Sequence, residues 1–230
     1  MALLVAAALA FVLLHLLVSG TRLRDALTGT IGSGPYMGLF SLASVGLIVW
    51  LSMSYGPARA DALNTVWWGA TPATKWIQLG LMLVAFLLVV PGLTTPNPTS
   101  VRQEGALEKP DVIKGMLRIT RHPFLWGVAV WAAGHLLVNG DLASLVLFGA
   151  MLALAVFGTV SIDAKRKRAL GATWDNFAAQ TSNVPFAAIA AGRQSLKVGE
   201  IGWWRLALAV ALWAGTIFAH QLMFGVSPLP

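Results

Sequence analysis

GMLRITRHPFLWGVAVWAAGHLLVNGD, residues 115–141, is the stretch that decides the fold. Its central part, Pro123–Val138, is apolar apart from His135, and Arg121 and His122 come directly before it. A residue before a proline is pushed out of the helical region, whereas proline suits the first position of a helix. An ionisable group inside a bilayer is costly, so it points to function. The stretch therefore predicts a membrane helix that begins at Pro123 and contains a functional histidine.

The composition extends this interpretation to the whole chain. Of the 230 residues, 57% are hydrophobic and 11% are charged, whereas soluble domains carry about 25% charged residues. The apolar residues fall in blocks long enough, or nearly so, to cross roughly 30 Å of hydrocarbon. We therefore expect an all-α polytopic membrane protein, with residues 1–230 forming one transmembrane domain. The absence of cysteine excludes disulfides, thiolate metal sites and cysteine nucleophiles.

Six apolar blocks predict six membrane spans. They are Ala2–Val18, Tyr36–Ser54, Thr74–Val90, Pro123–Val138, Leu142–Ile162 and Trp203–Phe224. The small residues of the fourth span let a neighbouring helix or a flat cofactor approach its backbone closely. These small residues are Gly127, Ala129, Ala132, Ala133 and Gly134.

The connections between the spans carry turn signals and one amphipathic pattern. We expect a glycine-rich turn over 29–38, a stop of the third span at Pro91, and a tight turn over 139–141. The polar connection 93–114, with Pro96, Pro98 and Pro110, predicts an ordered or lid-like loop. Residues 163–184 place apolar side chains at helical spacing and predict an amphipathic helix at the cytoplasmic interface.

The basic residues are distributed unevenly among the connections. Fourteen of the 16 Lys and Arg residues follow spans one, three and five, and only Arg59 and Lys75 lie elsewhere. Because cytoplasmic loops collect positive charge, these connections are predicted to be cytoplasmic, with both termini on the opposite side. The cytoplasmic loops explain the net charge of +7, and the expected partner is the lipid bilayer. We therefore expect no nucleic-acid binding.

The four histidines are candidate ligands for a metal. His15, His135 and His220 lie inside predicted spans, and His122 lies at the start of one. A single buried histidine is usually a hydrogen-bonded structural residue. Four of them in spans with few other polar groups instead favour metal binding, since imidazole is the commonest metal ligand and holds haem iron in helical bundles.

Helix geometry limits which histidines can share an iron. His122 and His135 are 13 positions apart, or about 20 Å along a helix. Two trans ligands with metal–nitrogen bonds of about 2 Å must come within about 4 Å of each other. His122 and His135 therefore cannot bind one iron. Depth in the membrane favours the pairs His15 with His122 and His135 with His220, which would also allow two haems.

These residues resemble the NnrU family of denitrifying bacteria over essentially the whole chain. The similarity is carried by His15, by RHPFLWGVAVWAAGHLLVNGD, by DAKRKRALGATWDNFAAQTSNVPF (163–186) and by the ending FGVSPLP. The same family includes the 15-cis-zeta-carotene isomerases, integral membrane proteins that use haem b. The resemblance implies haem b, with His15 and His135 as iron ligands. Those isomerases have a cysteine where this chain has Ala132, which removes a thiolate as alternative ligand.

The resemblance implies a multi-pass protein of the bacterial inner membrane with periplasmic termini. The first hypothesis is a haem b protein of nitrite or nitric oxide respiration, acting in electron transfer or in handling nitric oxide or haem, with a respiratory protein as possible partner. His122 and His220 would be supporting residues, alternative ligands or a second site. Arg121 would bind a haem propionate, while Arg118 would either do the same or anchor the helix to the cytoplasmic side.

Two enzyme hypotheses stand beside it. One is a haem-dependent cis–trans isomerase of a hydrophobic polyene such as 15-cis-zeta-carotene. The other follows from a more distant similarity, because RHP-x-x-x-G and a later LG element resemble the isoprenylcysteine methyltransferases, which use S-adenosylmethionine. Those enzymes carry paired glutamates before the LG element, whereas this chain has Ser161, Ile162 and Asp163 followed by a basic run.

Overall fold

A computed structural model describes residues 1–109 and 111–230 of the chain; Pro110, which belongs to the predicted loop 93–114, lies outside them. Helices dominate these ranges, with one pair of short strands. In chain order the elements are α1 Ala2–Leu13, a π-helical turn Leu14–Val18, α2 Arg22–Ile31, α3 Ser33–Arg59, β1 Val66–Gly69, α4 Pro72–Thr94, a 3₁₀ turn Glu104–Glu108, α5 Met116–Ile119, α6 Pro123–Val138, β2 Asn139–Asp141, α7 Leu142–Leu170, α8 Ala172–Gln180, α9 Ala187–Ala190, a 3₁₀ turn Val198–Glu200 and α10 Trp203–Phe224.

The prediction of an all-α polytopic membrane protein is confirmed. Within the described residues, α3, α4, α7 and α10 are long and apolar enough to cross a membrane, and α1 with α2 makes a fifth span if this bent pair counts as one. The fourth predicted span, α6, has 16 residues, which is shorter than those helices. Its length of about 24 Å is accommodated by burial between its neighbours. Phe218 and Leu222 on α10 are 85% and 91% exposed, as expected of side chains that face lipid.

Two local predictions were wrong. The expected turn over 29–38 contains helix instead. Thr21 caps α2, which begins at Arg22, and its hydroxyl accepts a hydrogen bond from the Leu23 amide at 3.2 Å. Only Gly32, at φ +83°, interrupts the path into α3. The stop at Pro91 also fails, because α4 continues to Thr94. Gly92 lies so close to the Phe124 backbone that packing against the start of α6 holds this last turn in place.

The packing of α6 depends on its small residues. A Cβ added to Gly127 would lie 2.5 Å from Val89 Cγ2, and one added to Gly134 would lie 2.6 Å from Met82 Cε. Both of these neighbours are on α4, so α4 and α6 approach closely along a glycine face, as predicted. On its other side α6 packs against α7 through Trp131 and Phe148, whose rings are 5.2 Å apart.

A small sheet covers the end of the bundle where α6 ends and α7 begins. Residues 139–141 are predicted as a tight turn, but they also form β2, which pairs antiparallel with β1. The Trp68 ring covers Gly140, where a Cβ would collide with the indole, and its Nε1–H donates to the Leu136 carbonyl at 2.9 Å. Asp141 caps α7 by accepting from the Ser144 amide at 3.0 Å.

The opposite end of the bundle, where α7 ends, is covered by the predicted amphipathic segment. Its first part, 163–170, continues α7, so the separate amphipathic helix is α8. Trp174 and Phe177 are buried there against Leu117 of α5. The apolar face of α8 therefore packs on α5 rather than on lipid.

Candidate functional site

His135 lies in an aromatic setting on α6. Its Nδ1 is 2.8 Å from the Trp131 carbonyl, which can only accept, so Nδ1 carries the proton. This arrangement leaves Nε2 as the free, basic nitrogen, which is the form in which histidine binds metals. The ring stacks on Phe148 of α7 at 4.7 Å and lies 4.8 Å from Trp131.

His220 of α10 also has its Nδ1 proton fixed by a backbone carbonyl. Its Nδ1 donates to the Val226 carbonyl at 2.8 Å, which also ties the chain terminus to the helix, and Phe224 lies 4.8 Å from its ring. His135 and His220 each lie in the last turns of their helices, α6 and α10. Their pairing at one iron stays a prediction.

His15 lies in a different part of the bundle. Its Nδ1 donates to the Phe11 carbonyl at 2.8 Å, its Nε2 is 3.4 Å from the Ser44 hydroxyl, and its ring packs against Phe11 and Phe40. Phe40 and Ser44 belong to α3. His15 therefore faces α3, whereas His135 faces α7.

The depth of His15 follows from its helix neighbours. Leu4 packs in one cluster with Ala143, and Gly20 lies against Ser161, so α1 and its π-helical turn run parallel to α7 with offsets of 139 and 141 positions. His15 consequently lies beside residue 156 of α7. The aromatic contact of His135 is at position 148, eight positions away, or about 12 Å.

This offset is a distance between backbone levels and not between imidazole nitrogens, so it does not rank the partners of His135. The free Nε2 of His135 in its aromatic surroundings suits a haem iron. His15 and His220 as further iron ligands stay predictions. Among the described residues no three His, Cys, Asp or Glu side chains group as a metal site, but a haem iron needs only one or two protein ligands.

Asp163 of α7 organises the start of α6. Its carboxylate accepts from Arg121 Nε at 2.9 Å and Nη2 at 2.5 Å, and from His122 Nε2 at 2.7 Å. Asn183 adds a longer bond to the same carboxylate at 3.3 Å and a bond to Thr159 at 3.0 Å. We call these five residues the Asp163 cluster.

The Asp163 cluster changes the interpretation of Arg121 and His122. Asp163 binds the guanidinium of Arg121. The binding of a haem propionate by Arg121 stays a prediction. Burial lowers the pKa of His122 and the Asp163 carboxylate opposes this shift. We conclude that His122 is a neutral imidazole that donates through Nε2, with a buried Nδ1 that has no partner among the described residues.

Arg118 has a structural partner as well. It donates to Glu200 at 2.7 Å and to Gln194 at 2.6 Å, which joins α5 to the connection before α10. The hydrogen bond from Arg118 holds the pKa of Glu200 at about 2. Of the two roles considered for Arg118, this ion pair favours structural anchoring.

Sequence reasoning missed the partners of these basic residues. Asp163 is the acidic residue at the end of the fifth apolar block, directly before a basic run, and that position was the signal that could have identified it. Asn183 and Phe148 carry no comparable signal, because an isolated Asn in a loop or Phe in a span is commonplace.

Sequence similarity to known proteins shows the family of this chain. The model of the NnrU protein family matches residues 3–228. The chain belongs to the NnrU family. No solved structure matches it.

Two relatives of this NnrU chain are plant proteins. The 15-cis-zeta-carotene isomerase of Arabidopsis thaliana chloroplasts is 32% identical over 138 residues, which are 57% of this chain and 38% of that protein. The enzyme of the same name from Zea mays is 28% identical over 210 residues, which are 87% of this chain and 55% of that protein. The chain thus spans about half or less of the relatives' length. Their names favour the isomerase hypothesis over nitrite or nitric oxide respiration, which stays a prediction.

Proposed function

We propose that this chain is an integral-membrane cis–trans isomerase of a hydrophobic polyene of the carotenoid class. The observation that carries the proposal is the setting of His135, an imidazole with a free Nε2 that packs against the rings of Trp131 and Phe148 in an apolar helical bundle. Membership of a family whose plant members are named for this reaction supports the choice of substrate class.

The site suits a conjugated hydrocarbon for physical reasons. A polyene is apolar, dissolves in the bilayer and offers flat π surfaces, which pack well against aromatic rings. Isomerisation adds and removes no atoms and needs no net electrons; it requires only that the order of one double bond falls while the chain rotates. A group that briefly exchanges charge with the π system meets that requirement.

We further propose haem b as this group, with His135 as the residue that holds it. A bound haem supplies an iron that can exchange charge with a conjugated chain, a chemistry that side chains alone do not provide. The residues of the chain orient the ligand: the Trp131 carbonyl fixes the His135 tautomer, and Phe148 fixes the plane of the ring.

The test uses bacterial cells that accumulate 15-cis-zeta-carotene and are kept in the dark. Expression of the wild-type chain is expected to convert the 15-cis isomer, as measured by chromatography. Cells that express His135→Ala should show the same isomer ratio as cells that express no such protein. Leu222→Ala, which changes a lipid-facing side chain, is the matched control and should keep the wild-type ratio. Wild-type protein at normal abundance without conversion would overturn the proposed reaction.

Haem is tested separately by absorption. Purified wild-type protein should show a Soret band and His135→Ala should lose it. Spectra of His220→Ala and His15→Ala then distinguish the two candidate partners of His135. Conversion without a Soret band would keep the isomerase and refute the haem.

A further inference from the structure

Unpaired buried donors mark a second region of the protein, at the cytoplasmic ends of α2, α3 and α7. Within residues 1–109 and 111–230, three buried side-chain atoms have no hydrogen-bond partner: His122 Nδ1, Tyr36 Oη and Arg166 Nε. Tyr36 and Arg166 are only 4% and 7% exposed. An unpaired buried polar group is costly, so two of them in one region indicate a missing acceptor.

The region is also predominantly basic. Gly20, just before α2, lies against Ser161 of α7, and Arg168 donates to the Gly20 carbonyl at 3.3 Å, so the start of α2 and the last turns of α7 lie together. The carboxylates of Asp25 and Glu104 are already bound, by Arg24 and Arg166. Lys165 forms no salt bridge with a described residue, whereas Lys167, two positions further along the helix, is paired with Asp175 at 3.0 Å.

Helix α2 connects the two observations. It turns 78° from α1 at a break of a few residues, so it runs along the membrane surface if α1 crosses the bilayer. The guanidinium of Arg24 on α2 lies 5.9 Å from the centre of the Tyr36 ring. Leu23 and Ile31 of the same helix are 48% and 41% exposed, which gives it an apolar side for lipid beside its basic one.

We propose that Arg24, Tyr36, Lys165 and Arg166 form a binding site for the phosphate headgroup of an anionic phospholipid. Phosphate supplies acceptor oxygens for the unpaired donors and charge for the unpaired ammonium. A lipid is favoured over a free phosphate ion because the site lies where membrane helices end and α2 exposes apolar side chains. Headgroup recognition by basic clusters at this depth is a known mode of lipid binding. The inference does not depend on the isomerase function.

The experiment measures lipid bound to the full-length detergent-purified protein by native mass spectrometry. Phosphatidylglycerol and phosphatidylcholine of equal chain length are the probes. Wild-type protein should retain phosphatidylglycerol preferentially, and Lys165→Gln should weaken this binding about fivefold. Lys167→Gln removes the same charge two positions away and should change binding less than about twofold.

Tyr36→Phe tests the proposal without changing the charge of the protein, so its result does not depend on whether a variant with altered charge folds. It removes only the unpaired hydroxyl, so it should weaken phosphatidylglycerol binding while leaving the thermal midpoint of the lipid-free protein unchanged or higher. Equal losses for Lys165→Gln and Lys167→Gln, or no preference for phosphatidylglycerol, would overturn the proposal. Displacement of the lipid by millimolar inorganic phosphate would also overturn it, in favour of a phosphate ion site.

Discussion

Removal of the Asp163 carboxylate is predicted to destabilise the start of α6 strongly. Asp163→Ala deletes the acceptor shared by Arg121 and His122, whose bonds to it are between 2.5 and 2.9 Å. The Arg121 side chain is 12% exposed and that of Asp163 is 18% exposed, so the cation would be left largely desolvated. Breaking a buried pair in this way costs about 3–5 kcal/mol, and the residual exposure places this case near 3 kcal/mol.

The assay is reversible unfolding in mixed micelles by increasing SDS, followed by tryptophan fluorescence. Asp175→Ala is the matched control, because its carboxylate pairs with Lys167 at 3.0 Å and both side chains are more than half exposed. Exposed pairs contribute about 0–1 kcal/mol. If Asp163→Ala lowered the free energy of unfolding by no more than Asp175→Ala, the Asp163 cluster would not hold the helices together.

Two further predictions concern packing and pH. Gly127→Ala should lower the free energy of unfolding by about 1–3 kcal/mol, because its Cβ would meet Val89 at 2.5 Å. Gly149→Ala, with open space around the residue, should be neutral or stabilising. Equal effects of the two substitutions would contradict the close α4–α6 contact. Arg118 lowers the pKa of Glu200 from 4.5 to about 2. The ion pair between them therefore stabilises the protein fully above pH 4.5, and this stabilisation is lost as the pH falls towards 2. The thermal midpoint of the wild-type protein should fall over this pH range, and that of Arg118→Gln should fall less.

Much of the fold could be predicted because its signals are local. Pro123 and the polar residues after Val138 define α6, and the bounds of the last span, Trp203–Phe224, agree with those of α10. Pro91 shows the limit of this reasoning. A proline usually marks a helix end, but close packing of the next glycine against α6 carries α4 one turn further.

The candidate site could be predicted only as a set of residues. The sequence identified four histidines in or beside spans, and helix rise correctly separated His122 from His135. It could not assign partners, because Asp163 lies 41 positions from His122 and Phe148 lies on another helix. These contacts depend on how α6 and α7 pack, and no local pattern encodes that arrangement.

The central claim is that His135 lies at the site where a polyene is isomerised. Its most direct test is the initial rate at which purified protein in liposomes converts 15-cis-zeta-carotene in the dark, compared between wild type and His135→Ala. We predict measurable conversion by the wild-type protein and the protein-free rate for the variant. Conversion by His135→Ala at the wild-type rate would contradict the claim.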